Sequence, residues 1–247
     1  MARWLASFST FTGSVVVHDP PSVKRRRVRY EWRRSGTLGL LDVLAFRAWY
    51  RFAGYAGRDR RWLDDRLAAI RRTYPAPDAG IESCHVTSPN SGDAERFLRE
   101  RRPDVVIALC KNILAPRIFE IPRAGTLVFH PGICPEYRNA HGCFWALARR
   151  DLTRVGMSVL RIDRGIDTGP VFGYFTADVD ERTETHIVIQ HRMTLDNLDA
   201  IRDLVRAIAS GSASPVDVTG RESAAWGQPR LSAWRRWKSA AVSKASD

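Results

Sequence analysis

Cysteine is scarce and scattered in this chain. Its four cysteines stand at 84, 110, 134 and 143, and no two form a Cys-x-x-Cys pair. That spacing argues against a structural zinc site, and no other convincing ligand cluster is visible, so no metal is expected. Long apolar runs are also missing. No stretch approaches the ~20 residues that cross a bilayer. The opening "MARWLASFSTFTGSVVVHDP" has a single early Arg and a polar-interrupted apolar stretch, which does not read as a secretory leader. Reduced thiols, a cytoplasmic location and no membrane association are the expectations. Internal repeats and a clear interdomain linker are absent too, so 247 residues suit one large domain, or one domain with a small appendage.

Acid is in short supply. Lys and Arg number 39 against 27 Asp and Glu, a formal charge of +12. The excess is local: Lys24 to Arg72 holds 15 basic and 5 acidic residues, a net +10. Such a stretch suits nucleic acid, a phosphorylated substrate, a polyanionic cofactor, or simply an Arg-rich solvated helical face. Aromatic residues interleave with it, and several fall at helical spacing with Leu41, Leu44 and Ala45. That pattern favours a packed amphipathic helix over a base-stacking surface. Hydrophobic residues make up 44% of the chain, enough for a real core.

Periodicity and turn chemistry predict strands over 13–20, 81–88, 104–110, 125–131, 155–163 and 169–179. Helices are predicted over 38–55, 62–74, 91–102 (with Ser91 as cap), 143–151 and 191–211, the last stopped by Gly211. Strands that alternate with helices and read as continuous apolar runs indicate an α/β fold. Its twisted sheet is expected to be mainly parallel, with helices on both faces. A domain over 1–180 and a helical extension over 181–247 packed on it are expected.

The stretch "FHPGICPEYRNAHGCFWAL" (129–147) has more polar variety than a core filler needs. In open α/β sheets, ligands sit at the carboxyl ends of the strands. His130 falls at that end of its strand, and Cys110-Lys111-Asn112 closes the neighbouring one. The loop "RIDRGIDTGPVF" (161–172) places Asp163 and Asp167 in a turn over the same edge. A His and an Asp meeting there form a general acid/base arrangement; a lone His at a strand end is otherwise structural.

The segment "PDVVIALCKNILAPRIFEIPRAGTLVFHPGICPEYRNAHGCFWAL", with the later "VGMSVLRIDRGIDTGPVF", resembles the formyltransferases that use 10-formyltetrahydrofolate. They include the methionyl-tRNA, glycinamide ribonucleotide and amino-sugar enzymes. The resemblance covers residues 88–175 well and the flanks weakly. It implies a Rossmann-like formyltransferase fold in which His130 matches the catalytic His and Asp167 the catalytic Asp. The donor is implied to be 10-formyltetrahydrofolate, and the acceptor a primary amine of a small molecule. The expected folate-binding residues are Leu109, Cys110, Lys111, Ile113 and Leu114 after one strand, with Asp163, Gly165 and Ile166 in the turn, because apolar strand ends and turn backbone suit a flat pteridine.

The departures are specific. Val128 replaces the family's Asn two residues before the His, and valine donates no hydrogen bond to an oxyanion. Asn139 and His141, at the start of the next helix, are the candidate replacements, with helix capping as their alternative. The family opens on a strand, a helix and a second strand; here the N-terminal stretch reads as that helix and second strand, without the first. About 70 residues follow the Asp167 loop, and no C-terminal β-barrel of the tRNA enzyme is legible, which argues against tRNA as acceptor. The alternatives to formyl transfer are hydrolysis of 10-formyltetrahydrofolate, folate binding without catalysis, and nucleic-acid binding by the basic stretch.

Overall fold

Asp19-Pro20-Pro21 stops the first strand and starts the longest helix in one step. Proline has no N–H to lose at a helix start, and its fixed φ suits the first turn. The computed structural model describes residues 1–77 and 80–243. The last four residues of the proposed 181–247 extension therefore lie outside the described residues.

In chain order the elements are α1 (Ala2–Ala6), β1 (Ser14–Val17), α2 (Pro21–Phe52), α3 (Tyr55–Thr73), β2 (Ser83–Val86), α4 (Gly92–Arg101) and β3 (Val105–Ala108). There follow α5 (Pro116–Phe119), β4 (Gly125–His130), β5 (Arg138–Asn139), α6 (Gly142–Ala148), β6 (Met157–Arg161) and β7 (Val171–Phe175). The last are α7 (His186–Leu195), α8 (Leu198–Ser210), β8 (Ala225–Trp226) and α9 (Leu231–Ser243).

The main sheet has the order β3-β4-β6-β7. β3 and β4 are parallel, and β6 runs antiparallel to both β4 and β7. The β6–β7 connection carries no helix, so it returns as an antiparallel pair. β1 and β2 form a separate parallel pair, and β5 pairs with β8 in parallel. Side chains tie the carboxyl ends of β1 and β3 together: Asn112 donates to Asp19 at 2.9 Å, and Arg27 pairs with Asp19 at 2.8 Å. The central core joins β4, β6, α6 and the C-terminal helices through Leu127, Val159, Phe144, Ile189, Ile201, Trp234 and Trp237.

Three expectations need correction. Helix 38–55 begins at Pro21 instead, bending at Gly36 where φ is 68°. Its packed face is Val43, Phe46 and Tyr50, while Leu41 and Leu44 are exposed. The helix expected over 191–211 is two, α7 and α8. The Asn197 side chain donates to Met193 O and Thr176 O at their junction, competing with the backbone ladder. The strands at 13–20 and 104–110, read as buried, are half-buried over most of their length, because β1 and β3 each lie at a sheet edge. Ser91 does cap α4, accepting from Ala94 N, and Gly211 does close α8 with φ 79°. Among the described residues, no helix is long and apolar enough to cross a membrane.

Candidate active site

His130 ends β4 and is 3% exposed. The chain turns at once, Gly132 N donating to His130 O at 2.8 Å. A Cβ on Gly132 would lie 2.9 Å from His130 Nε2 and closer still to the Tyr137 carbonyl, so only glycine fits. Cys143 N donates to Pro131 O at 2.8 Å and docks the start of α6 on the turn.

Both ring nitrogens of His130 are engaged. Nε2 donates to the Tyr137 carbonyl at 2.7 Å, since a carbonyl oxygen only accepts. Nδ1 lies 3.3 Å from Asp167 Oδ2. That same oxygen accepts the Asn139 N–H at 2.8 Å. Asp167 sits in the β6–β7 loop with φ 52°. Its loop is tied internally: Asp163 Oδ1 accepts from Gly165 N at 2.9 Å and Thr168 Oγ1 at 2.7 Å. Arg138 clasps the loop from outside by donating to Ile166 O at 2.9 Å.

The structure thus brings His130, Asp167 and the Asn139 backbone together. The Asn139 side chain points elsewhere, donating to Trp226 O. His141 precedes α6 and makes no capping bond with its side chain. Its Nδ1 meets Gln190 Nε2 at 3.3 Å, and its ring is 5.7 Å from that of His186. Burial, then the charges of Lys111 and Arg47, push the His141 pKa down to about 4. Val128 is half-buried and packs against the cluster of Cys134, Leu160 and Val171. Asp167, Asn139 and His141 all have positive φ, a clustering of backbone strain that one sequence does not reveal.

The proposed folate residues divide. Leu109, Ile113 and Ile166 are exposed by 61%, 71% and 40%, and Lys111 and Gly165 are also exposed. Cys110 is half-buried, its Sγ near Asn112 O. Leu114 is instead buried with Ala108, Ile118 and Phe119. The Asp163 carboxylate is used inside its own loop. A small open cleft of about 80 Å³ adjoins Asp167, lined also by Cys134, Arg138, Thr168, Val218 and Ser223. Sequence reasoning missed the contribution of 218–226, and only its Trp hinted at it. Among the described residues, no three potential ligands cluster to hold a metal.

A mixed α/β sheet, with a buried His and a half-buried Asp meeting at a strand end, defines a Rossmann-like protein. The formyl transferase family model matches residues 64–204, and the chain belongs to that family. Methionyl-tRNA formyltransferase of Streptomyces coelicolor is 30% identical over 162 residues, 65% of this chain and 50% of that protein. The Microcystis aeruginosa enzyme of the same name is 40% identical over 76 residues, 30% of this chain and 23% of its own length. Human mitochondrial 10-formyltetrahydrofolate dehydrogenase is 29% identical over 108 residues, 44% of this chain and 12% of that protein. This chain thus spans half or less of each of these relatives. A sugar N-formyltransferase from Shewanella sp FDAARGOS_354 shares the fold, with a TM-score of 0.50 at 12% identity, over 88% of this chain and 77% of its own.

Proposed function

We propose that this chain transfers a formyl group from 10-formyltetrahydrofolate to a primary amine of a small molecule. The observation that carries the reading is the His130–Asp167 pair, 3.3 Å apart at the carboxyl end of β4. The exposed Leu109, Ile113 and Ile166, with the Gly165 turn and Lys111, offer the donor an apolar strand end beside one cation.

The amine attacks the formyl carbon, giving a tetrahedral oxyanion; the amine then loses a proton, and N10 of the folate gains one as it leaves. Asp167, not the nearly sealed His130, faces the cleft. The His130 and Asn139 contacts both fall on Oδ2, so Oδ1 is the oxygen that takes the amine's proton. His130 lies behind the carboxylate, with Nδ1 beside Oδ2, and reaches the oxyanion only by releasing the Tyr137 carbonyl. Val128 supplies no donor, and His141, kept neutral by burial, is the imidazole proposed to take that part.

A second reading puts water in place of the amine. The cleft beside Asp167, about 80 Å³, suits a few waters and favours that reading to this extent. Incubation with 10-formyltetrahydrofolate, with and without a panel of amines, separates the two. Amine-dependent formation of tetrahydrofolate supports transfer, and amine-independent formation supports hydrolysis. Binding with no turnover in either arm would refute both.

A further inference from the structure

Gln190 and His186 stand one helical turn apart on α7, and both meet His141. α7 is anchored at its start: Thr185 accepts from Val188 N and donates to Asp59, which also takes the Tyr50 hydroxyl. His186 is 2% exposed, ringed by Phe46, Tyr50, Phe144 and Trp234 at 5.2–5.7 Å between centroids. His141 itself is fixed against the site, because the next residue, Gly142, packs on Gly132 of the His130 turn.

We propose that Gln190 is a positioning residue that holds His141 in the neutral Nε2–H tautomer, as a donor to the formyl oxyanion. This rests on the formyl-transfer reading above. A side-chain amide nitrogen only donates, so the Nδ1 it contacts carries a lone pair. The single proton of a neutral ring is then on Nε2, on the far edge from Gln190. An oxyanion donor in place of the missing Asn must be an N–H that keeps its direction, and a neutral ring has only one to present. The charged and titratable groups that act most strongly on His141 are Lys111, Arg47 and His130, with His186 beside it on α7. They disfavour a second proton, in line with a pKa lowered to about 4. With Gln190 turned the other way, its carbonyl would hold Nδ1–H and leave Nε2 bare, an acceptor useless to an oxyanion.

The test is two-bond ¹⁵N–¹H NMR of the histidine rings in the full chain, with His141→Asn for assignment, alongside steady-state kinetics. The wild type should show His141 protonated on Nε2 and not titrating between pH 8 and pH 5. In Gln190→Glu the carboxylate only accepts, so Nδ1 gains a proton and the ring titrates near neutrality. That variant should lose about 10²-fold in kcat, the loss of one oxyanion donor, with KM changed by less than about twofold. Gln190→Leu should give mixed tautomers and a smaller loss; it serves if Gln190→Glu does not fold. A wild-type ring protonated on Nδ1, or one titrating near its ordinary value, overturns the proposal. So does an unchanged kcat in both variants. If the wild type consumes no formyl folate, the formyl-transfer reading has failed, and the spectra still decide whether Gln190 sets the tautomer.

Discussion

Val128 stands where the resemblance implies an asparagine, and its surroundings bear on whether asparagine is interchangeable there. It is half-buried and packs against Cys134, Leu160 and Val171, as does Tyr174, whose hydroxyl donates to Cys134 O. An amide placed at this half-buried position loses part of its water, at about 1 kcal/mol. We predict that Val128→Asn lowers the urea midpoint accordingly and leaves formyl transfer nearly unchanged if His141 already supplies the donor. A hundredfold gain in turnover would show instead that nothing compensates. The cysteines allow a second prediction. Cys134 and Cys143 are buried, and burial pushes both thiols up to about 12, so little thiolate forms. Cys84 and Cys110 are half-buried and free. Brief alkylation of the native protein, read by mass spectrometry, should mark Cys84 and Cys110 well before the other two.

The β5–β8 pair is the element that couples the C-terminal segment to the site. Trp226 stacks on Trp145 and Tyr137 at 5.0 and 5.8 Å, and its indole N–H donates to Glu136 O at 2.8 Å. Trp226→Ala should cost about 3 kcal/mol through the cavity it leaves. Because that cavity borders the 136–139 turn, it should also speed hydrogen exchange of the Asn139 amide held by Asp167. Unchanged exchange there would mean the turn stands without β8. A two-residue strand of this kind was not legible in the sequence, since "AW" has no period to detect. The long strands were, because β-branched runs bounded by Pro, Gly or Asp specify them locally. The first half of α2 was missed for a related reason: Lys24 to Arg34 is so charged that no apolar stripe announces a helix. The break at Asn197 was missed because no Gly or Pro stands between Met193 and the stripe of Ile201, Val205 and Ile208 to mark a stop, while the carbonyls that capture the Asn side chain lie partly on another segment.

At the scale of the whole molecule, pH reads the buried imidazoles. Desolvation first, then neighbouring positive groups, lowers the pKa of His141 to about 4 and that of His186 well below its ordinary value. A base whose pKa is lower when folded binds protons more readily when unfolded. Stability is therefore fully present above about pH 6.5 and falls as the pH drops from there toward 4. His141 alone accounts for about 3 kcal/mol at most over that window, and His141→Gln should flatten this part of the profile in urea titrations. The α/β class and the His130–Asp167 meeting were legible, because strand ends and loop order dictate where chain turns converge. The Tyr137 carbonyl latch on His130, and the Gln190 contact with His141, were not, since both depend on side-chain directions that no spacing encodes.

The site's central claim is that Asp167, backed by His130, moves the amine's proton. Its most direct test is formyl transfer by Asp167→Asn, which keeps size and shape while removing the base. The account predicts retained folate binding with turnover lowered by roughly 10²–10⁴-fold. Equal turnover by Asp167→Asn and the wild type, at matched folate binding, would contradict it.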